Sequence, residues 1–305
     1  MPKINKGGIG MFISKDTHFF ALDKTNLPVA QVSLPCELTF ETLDCFSEQL
    51  NHPEDTLEIL DFERVNPATG PVFLNGIKAG DVISVTIKAI RVKTPGKMVA
   101  APDAGVLGSL IKKSETLIIP IEGDIAYFKE LQLPLTPMIG VIGIAPQGVG
   151  IPCGTPGSHG GNMDCTLIKP GAILYLPVQV DGGLLALGDL HAVMGDGEIM
   201  VSGVEVSGEV DVTICKVGNL EISNPVVQTE KELAFIASAL TLDQAIETAT
   251  IEMAQFLTSR SSLSLNEAGM LMSACGNAQI CQIVDPLKTA RFSMPLSVLN
   301  ELRII

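Results

Sequence analysis

The stretch VEVSGEVDVTI, residues 204–214, decides the fold class. Its valines and its isoleucine stand at every second position around a central glycine, and polar residues alternate with them. Successive side chains of a β-strand point to opposite faces, so this period of two predicts a half-buried strand. Residues 81–90 (DVISVTIKAI) repeat the pattern, with Ile83, Val85 and Ile87 on one face. The chain is therefore expected to be mainly β.

The composition agrees with a β-rich globular protein. Apolar residues make up 46% of the 305 residues and charged residues 18%, which excludes a disordered chain. The 29 glycines and 19 prolines favour short strands joined by tight turns. The sequence of residues 29–43 is an example, since it predicts two short strands on either side of a turn at Pro35.

The pattern changes after Asn224-Pro225. Residues 241–258 carry apolar side chains at helical spacing and begin with a capping pattern, Thr241 and Gln244. Ser264 with Glu267 predicts a second helix, which Gly276 would end, and residues 277–284 and 290–298 are strand-like. We predict a β-rich domain over residues 1–225, which carries the site, and an α+β subdomain with two helices over residues 226–305.

Charge and cysteine usage exclude several classes of protein. The formal net charge is −14 and no cluster of lysine and arginine is present, so nucleic acid is not an expected partner. This acidity suits carboxylates gathered around a metal, or solubility alone. Seven cysteines without a CxxC motif argue against a disulfide framework. Residues 1–20 lack a signal-peptide pattern, and no apolar run reaches about 18 residues, so we expect a cytoplasmic protein without membrane contact.

Two polar clusters contain two of the four histidines. The first is SHGGNMD (158–164), and the second is GDLH (188–191), followed by GDGE (195–198) and then Glu205. Glycines let such side chains converge on one point, and mixed histidine and carboxylate ligands suit Zn²⁺ or a similar divalent ion. The spacing matches neither HExxH nor the EF-hand pattern. Turn acids, structural histidines and a solvent-facing Glu205 therefore remain alternatives.

A glycine- and proline-rich span surrounds the first cluster. The density of turn formers in residues 140–162 forbids a long helix or strand, and its apolar character favours an ordered functional loop. Cys153 within it is a second candidate, as a nucleophile, although no motif links it to a base and a buried structural cysteine is more common.

Several ordered stretches resemble the acetamidase/formamidase family. They are PVAQVSLPCELTFETLDC (28–45), VNPATGPVFLNGIKAGDVISVTI (65–87), GVIGIAP (140–146), GSHGGNMDC (157–165), LYLPVQVDGGLLALGDLHAVMGDGE (174–198), the Glu205 strand and NAQICQIVDPLKTARFSMP (277–295). The resemblance implies a β-sandwich core, jelly-roll-like, with a smaller C-terminal α+β part. It also implies hydrolysis of small linear amides to a carboxylate and ammonia.

The resemblance places Asp44, Asp164, His191 and Glu205 on polar positions of the family motifs. We expect the first three to bind a divalent metal, Zn²⁺ with Ca²⁺ or Mn²⁺ as alternatives, and Glu205 to act as general base and then acid. His159, or the amides of Gly160-Gly161, would hold the oxyanion. The motif GSHGGN, with its histidine, resembles the acetamidase-like variant of the family. This resemblance favours a substrate other than formamide.

Two alternatives from other classes remain. One is a cysteine-nucleophile amidase that uses Cys153, and the other is a non-catalytic β-sandwich that binds a metal or a small ligand structurally. The apolar residues of the tail 290–305 also lead us to expect a homodimer.

Overall fold

The segment with alternating valines forms two strands instead of one. In this computed structural model, which describes residues 10–304, the strands Glu205–Val206 and Gly208–Val217 belong to two different nine-stranded sheets. The chain changes sheet at Gly208, where a Cβ atom would lie 2.6 Å from the carbonyl oxygen of Arg91. Glycine is therefore required at this close approach between backbones.

The remaining elements are short strands with a few helices. In chain order the strands are β1 (Met11–Ile13), β2 (His18–Phe19), β3 (Ala21–Leu22), β4 (Ala30–Ser33), β5 (Cys36–Thr42), β6 (Ala68–Asn75), β7 (Val82–Val92), β8 (Gly96–Ala100), β9 (Glu115–Ile119), β10 (Ile121–Glu122), β11 (Ile125–Phe128), β12 (Leu131–Pro134), β13 (Met138–Gly143), β14 (Ile151–Pro152), β15 (Gly160–Asn162), β16 (Ile173–Pro177), β17 (Leu185–His191), β18 (Glu205–Val206), β19 (Gly208–Val217), β20 (Val226–Gln228), β21 (Glu232–Ala239), β22 (Asn277–Gln282) and β23 (Lys288–Pro295). The α-helices are α1 (Leu242–Arg260), α2 (Leu265–Cys275) and α3 (Leu296–Glu301), and short 3₁₀ turns span Leu57–Ile59, Phe62–Arg64 and Gly108–Leu110.

The two large sheets pack face to face on one apolar core. The first has the order β1-β5-β19-β7-β16-β20-β21-β23-β22, and the second has the order β15-β13-β17-β18-β8-β9, with β6 also paired to β17 and β2 and β4 paired to β6. Phe40 and Ile87 from the first sheet share this core with Val72, Ile142 and Leu187 from the second, and all five are fully buried. The predicted mainly β sandwich is confirmed.

The predicted helices are confirmed together with their caps. The Thr241 side chain accepts a hydrogen bond from the Gln244 amide, and Ser264 and Glu267 form a complete capping box. Gly276 follows the second helix as predicted. The strand predicted over 290–298 is wrong at its end, because α3 begins directly after Pro295, a residue that cannot donate to a sheet ladder.

The C-terminal region has a second core of its own. Ala249, Met253 and Leu257 of α1 pack with Phe235 and Met294 of the first sheet. The tail packs into this core as well, and Leu299 and Ile304 are buried. Its apolar residues are thus used within the chain, which removes the reason given for a homodimer.

The predicted boundary at residue 225 separates neither the two cores nor the sheet, because Val227, Ala234 and Ile236 belong to the main core. Strands β20, β21, β22 and β23 continue the first sheet, so the boundary stays a prediction. The glycine-rich span 140–162 contains the end of β13 as well as β14 and β15, which the prediction of a loop missed. Residues 1–9, which carry part of the signal-peptide expectation, lie outside the described residues. Among residues 10–304, no helix is long and apolar enough to cross a membrane.

Candidate metal centre and active site

Three neighbouring strands of the second sheet meet at His191. This residue ends β17 and lies opposite Met138 on β13 and opposite Glu205 on β18. Its Nε2 atom is 3.0 Å from Glu205 Oε1, and its Nδ1 atom is 2.9 Å from the Met138 sulfur. The register of the sheet therefore brings together an imidazole and a carboxylate from strands that the sequence separates.

Three further carboxylates complete this group. The His191 Nε2 atom lies 3.6 Å from Asp189 Oδ1 and 3.7 Å from Glu198 Oε1, and the Nδ1 atom lies 3.9 Å from Asp164 Oδ1. We call Asp164, Asp189, His191, Glu198 and Glu205 the acidic centre. All five are buried, and the most accessible, Glu198, is 8% exposed. The interpretation of Glu205 as a solvent-facing charge is therefore wrong, since this residue is 1% exposed.

The acidic centre holds more negative charge than a buried site tolerates without compensation. Burial raises the pKa values of Asp164, Asp189 and Glu198 well above their ordinary range. Burial also opposes protonation of His191, but the carboxylates of Glu205 and Asp189 outweigh it and raise the pKa of the imidazole. Buried carboxylates are normally paired or bound to a metal, so this environment favours a cation.

Unpartnered oxygens give a direct test of whether a metal fits. Within residues 10–304, both carboxylate oxygens of Asp164, Oδ1 of Asp189 and Oε2 of Glu205 are buried without a hydrogen-bond partner. One ligand atom each from Asp164, His191 and Glu198 lie within 4.8 Å of one another. Such a mixed nitrogen and oxygen set suits Zn²⁺ and related divalent ions. The residues present therefore fit a metal.

The backbone is shaped to bring these carboxylates together. Asp164, Asp189 and Glu198 have φ angles of 44°, 54° and 47°, a left-handed conformation that is uncommon for residues other than glycine. Gly140 makes room for two of them, because a Cβ atom there would lie 2.5 Å from Asp164 Oδ1 and 2.7 Å from Asp189 Oδ2. Unfavourable backbone conformations of this kind gather at functional sites.

Asp44 forms a buried ion pair beside the acidic centre. Its Oδ2 atom accepts a hydrogen bond from Lys97 Nζ at 2.6 Å, and its Oδ1 atom accepts one from the Glu48 amide. Lys97 lies opposite Glu205 in the sheet, which places the pair next to the centre. Both oxygens of Asp44 thus have partners, unlike those of Asp164. The assignment of Asp44 as a metal ligand stays a prediction.

His159 lies at the other end of β13 from His191. Gly160 is opposite Gly143, whereas His191 is opposite Met138, five residues away, which corresponds to roughly 16 Å along a strand. Burial lowers the pKa of His159 to about 4, so its imidazole is neutral. The Gly160 amide donates to the Gly157 carbonyl and is already satisfied. The oxyanion role of His159 stays a prediction, and this separation weighs against it.

Lys97, Asp285 and Cys45 adjoin the centre, and the sequence patterns missed all three. Burial, followed by the negative charge of Asp189, raises the pKa of Asp285 to about 8, and its Oδ2 atom accepts a hydrogen bond from Asn162. Cys45 places its sulfur within 4.8 Å of ligand atoms of Asp189 and Glu205. Lys97 lies on a regular strand, Asp285 lies in a turn directly before a proline, and Cys45 directly follows Asp44. None of these local signals is specific.

Comparisons with known proteins identify the family of this chain. The model of the acetamidase/formamidase family matches residues 95–300, more than half of the chain. The chain belongs to the acetamidase/formamidase family. The acetamidase of Bacillus halodurans is 48% identical and has a TM-score of 0.94, over 95% of this chain and 99% of that one. A predicted acetamidase/formamidase of Thermoanaerobacter tengcongensis is 50% identical, also with a TM-score of 0.94, over 96% of this chain and 98% of that one.

Curated members of the acetamidase/formamidase family match over a shorter segment. The formamidase of Methylophilus methylotrophus is 42% identical over 81 residues, which cover 24% of this chain and 19% of that protein. The chain thus matches only about a fifth of the length of this relative. A γ-lactamase of Delftia acidovorans is 18% identical with a TM-score of 0.66, and this likeness concerns the fold alone.

Proposed function

We propose that the protein is a metal-dependent hydrolase that cleaves the C–N bond of linear amides related to formamide and acetamide, with release of a carboxylate and ammonia. The observation that carries the proposal is the acidic centre, where buried carboxylates surround one imidazole and four of their oxygens have no hydrogen-bond partner among residues 10–304. Membership of the acetamidase/formamidase family supports the reaction class.

Asp164, His191 and Glu198 are the residues that would hold the ion, since their ligand atoms already lie close together. Asp189 adjoins them and adds negative charge. When bound, a Zn²⁺-like ion supplies Lewis acidity, which polarises an amide carbonyl and lowers the pKa of water towards about 7. The chain contributes fixed ligands in a buried site, so little reorganisation is needed during the reaction.

Glu205 is placed to move protons. Its Oε1 atom accepts a hydrogen bond from the Gly203 amide at 2.7 Å and lies beside His191 Nε2, which holds the carboxylate in one orientation. Its Oε2 atom is buried and has no partner among the described residues. This free oxygen would accept a proton from the attacking water and later give it to the leaving nitrogen.

Cys153 is a poorer candidate for the nucleophile. Burial raises the pKa of its thiol to about 12, so very little thiolate exists at neutral pH. Its sulfur lies 3.7 Å from the carbonyl oxygen of Phe19 and is fully buried. These features match a structural cysteine packed in a small apolar cluster with Leu22 and Val141.

The experiment combines metal analysis with ammonia release from formamide and acetamide. We expect Asp164→Ala and His191→Ala to lose bound metal and activity together. Glu205→Gln should keep the metal while kcat falls by roughly 10²–10⁴-fold, because proton transfer is removed but the ligands remain. Cys153→Ser should retain activity.

The matched controls are Asp181→Ala and His52→Ala, which alter an exposed aspartate and an exposed histidine that do not belong to the acidic centre. Both should keep metal and turnover. Full turnover and metal content in Asp164→Ala or His191→Ala would contradict the proposal. Metal binding without amide hydrolysis would instead favour the structural metal-binding alternative.

We further infer a cytoplasmic, reduced setting, and the homodimer stays a prediction. All seven cysteines are free, which supports the first inference. The homodimer no longer draws support from the tail, and sedimentation equilibrium of the purified protein tests it directly.

A further inference from the structure

An apolar cavity of about 510 Å³ adjoins the acidic centre. Its walls come from the segment after β5, the two 3₁₀ turns near residue 60, the end of β8 and the loop after it, and they include Phe46, Leu57, Leu60, Val65 and Val99. This volume lies within the roughly 300–1,000 Å³ range of small-molecule sites. A cavity of this size exceeds what the methyl group of acetamide can fill.

Two residues belong to both the cavity and the surroundings of the acidic centre. Cys45 lines the cavity, and its sulfur lies within 4.8 Å of ligand atoms of Asp189 and Glu205. Asn66 also lines it and places Nδ2 at 3.4 Å from Asp189 Oδ2. These two side chains place the wall of the cavity directly beside the carboxylates of the acidic centre.

The polar groups of the cavity come from a few residues of its wall. Among them, Glu58 is exposed and its Oε1 atom accepts a hydrogen bond from the Ser114 hydroxyl, and Asp103 is also exposed. Phe62 adds an aromatic ring that is 65% exposed. Within the described residues, no lysine or arginine lines the cavity. An apolar group fits these walls, whereas a second anionic group would find no cationic partner.

We propose that this cavity binds the acyl chain of the substrate, so that the preferred substrate is the primary amide of a carboxylic acid with a branched, medium-length or aromatic apolar chain. The inference rests on the proposed amide hydrolysis. Because release of ammonia requires a nitrogen that carries only hydrogen, the apolar part of such a substrate must lie on its acyl side. The cavity thus determines substrate preference, and the acidic centre performs the reaction.

The first test compares kcat/KM for formamide, acetamide, isobutyramide, hexanamide and phenylacetamide on the metal-loaded protein. We expect hexanamide or phenylacetamide to exceed acetamide by at least about tenfold, since each buried methylene in such a pocket contributes severalfold or more. A preference for acetamide or formamide over every longer amide would overturn the inference.

The second test fills the cavity. Ala104 is half-buried in its wall, and Ala104→Phe should lower kcat/KM for the longer amides by about tenfold or more while acetamide changes less than about threefold. Val106→Phe is the matched control, because Val106 is 52% exposed two residues away and does not line the cavity. Val65→Phe provides a second filling variant from the opposite segment in case the first does not fold.

The outcomes separate the two proposals. Hydrolysis of acetamide with no turnover of longer amides overturns the acyl-chain inference and leaves the proposed function intact. Absence of ammonia release from every amide contradicts the proposed function itself. An equal loss for short and long amides in both filling variants, with unchanged thermal unfolding, also overturns the acyl-chain inference.

Discussion

Lys97 is a buried cation beside a group of carboxylates, and its ammonium group contacts Asp44. The two side chains are 7% and 4% exposed, so water screens the pair very little. Removal of one member of a buried pair leaves the other charge without compensation and is strongly destabilising. The pair therefore holds the segment after β5 against β8, next to Glu205.

We expect Lys97→Met to lower the free energy of unfolding by about 3–5 kcal/mol, because it leaves the Asp44 carboxylate buried without its partner. Urea unfolding at pH 7 measures the loss. The double variant Lys97→Met with Asp44→Leu should recover much of it, since both charges are then absent.

The same pair decides the role of Asp44. Both oxygens of Asp44 already have hydrogen-bond partners, so we expect this carboxylate to pair with Lys97 and not with the metal. The variant Asp44→Asn should therefore lose stability but keep its metal. Loss of metal in Asp44→Asn, with the fold intact by circular dichroism, would establish Asp44 as a ligand instead.

At the scale of elements, three strands of the first sheet are joined by side chains on their outer face. Asp211 on β19 accepts hydrogen bonds from Thr39 on β5 at 2.7 Å and from Arg91 on β7 at 2.8 Å. Arg91 also pairs with Glu209. The Arg91 guanidinium holds the pKa of Asp211 below its ordinary value. The hydrogen bond from Thr39 also lowers this pKa, by less, and partial burial opposes both effects. The polar half of the alternating pattern thus contributes to strand pairing.

Asp211→Asn should lower the free energy of unfolding at pH 7 by about 0.2–1 kcal/mol, a small effect because the side chain is one-third exposed. The pKa of Asp211 is lower in the folded state than the value of about 3.9 in the unfolded state. The stabilisation by this charge is therefore fully present above about pH 3.9, and it is lost as the pH falls through the folded-state pKa. The difference between wild type and variant should therefore shrink between pH 5 and pH 3. Urea unfolding at pH 7, 5 and 3 measures it, and a pH-independent difference would rule out this explanation.

At the scale of the whole molecule, the acidic centre joins segments that are distant in the sequence. Asp164 follows β15, Glu198 lies in the loop after β17, and Asp285 in the turn before β23 adjoins them. A cation bound there would stabilise the native state, because its ligands are close together only after folding.

Metal removal should consequently lower the unfolding temperature. At a free metal concentration of 100 times Kd, binding to the native state alone adds about 2.7 kcal/mol, so the loaded protein should unfold at a higher temperature than protein treated with a chelator. Differential scanning calorimetry measures the shift. His191→Ala is the control and should show the same unfolding temperature with and without metal. An unchanged transition in the wild type would contradict a metal at this centre.

Local patterns predicted the elements that have a clear hydrophobic period or a cap. The half-buried strand at 81–90, the two strands around Pro35 and both capped helices depend on periodicity and on hydrogen bonds within a few residues, so the sequence was sufficient for them. It was not sufficient at residues 204–214, because one unbroken alternation covers a change of sheet at Gly208. The apolar alternation keeps the same period and phase before and after Gly208. Only the strands that pair with each half distinguish β18 from β19.

By itself, the sequence determined a mainly β chain with a helical C-terminal part and indicated the polar residues 158–205 as a site. The tertiary structure alone decided which side chains meet: Asp164, Asp189, Glu198 and Glu205 around His191, and Asp44 with Lys97. Periodicity reports which face of a strand is apolar, whereas burial of Glu205 on the polar face depends on the strands packed beside it. Contacts between distant segments arise from sheet order, which no local pattern encodes.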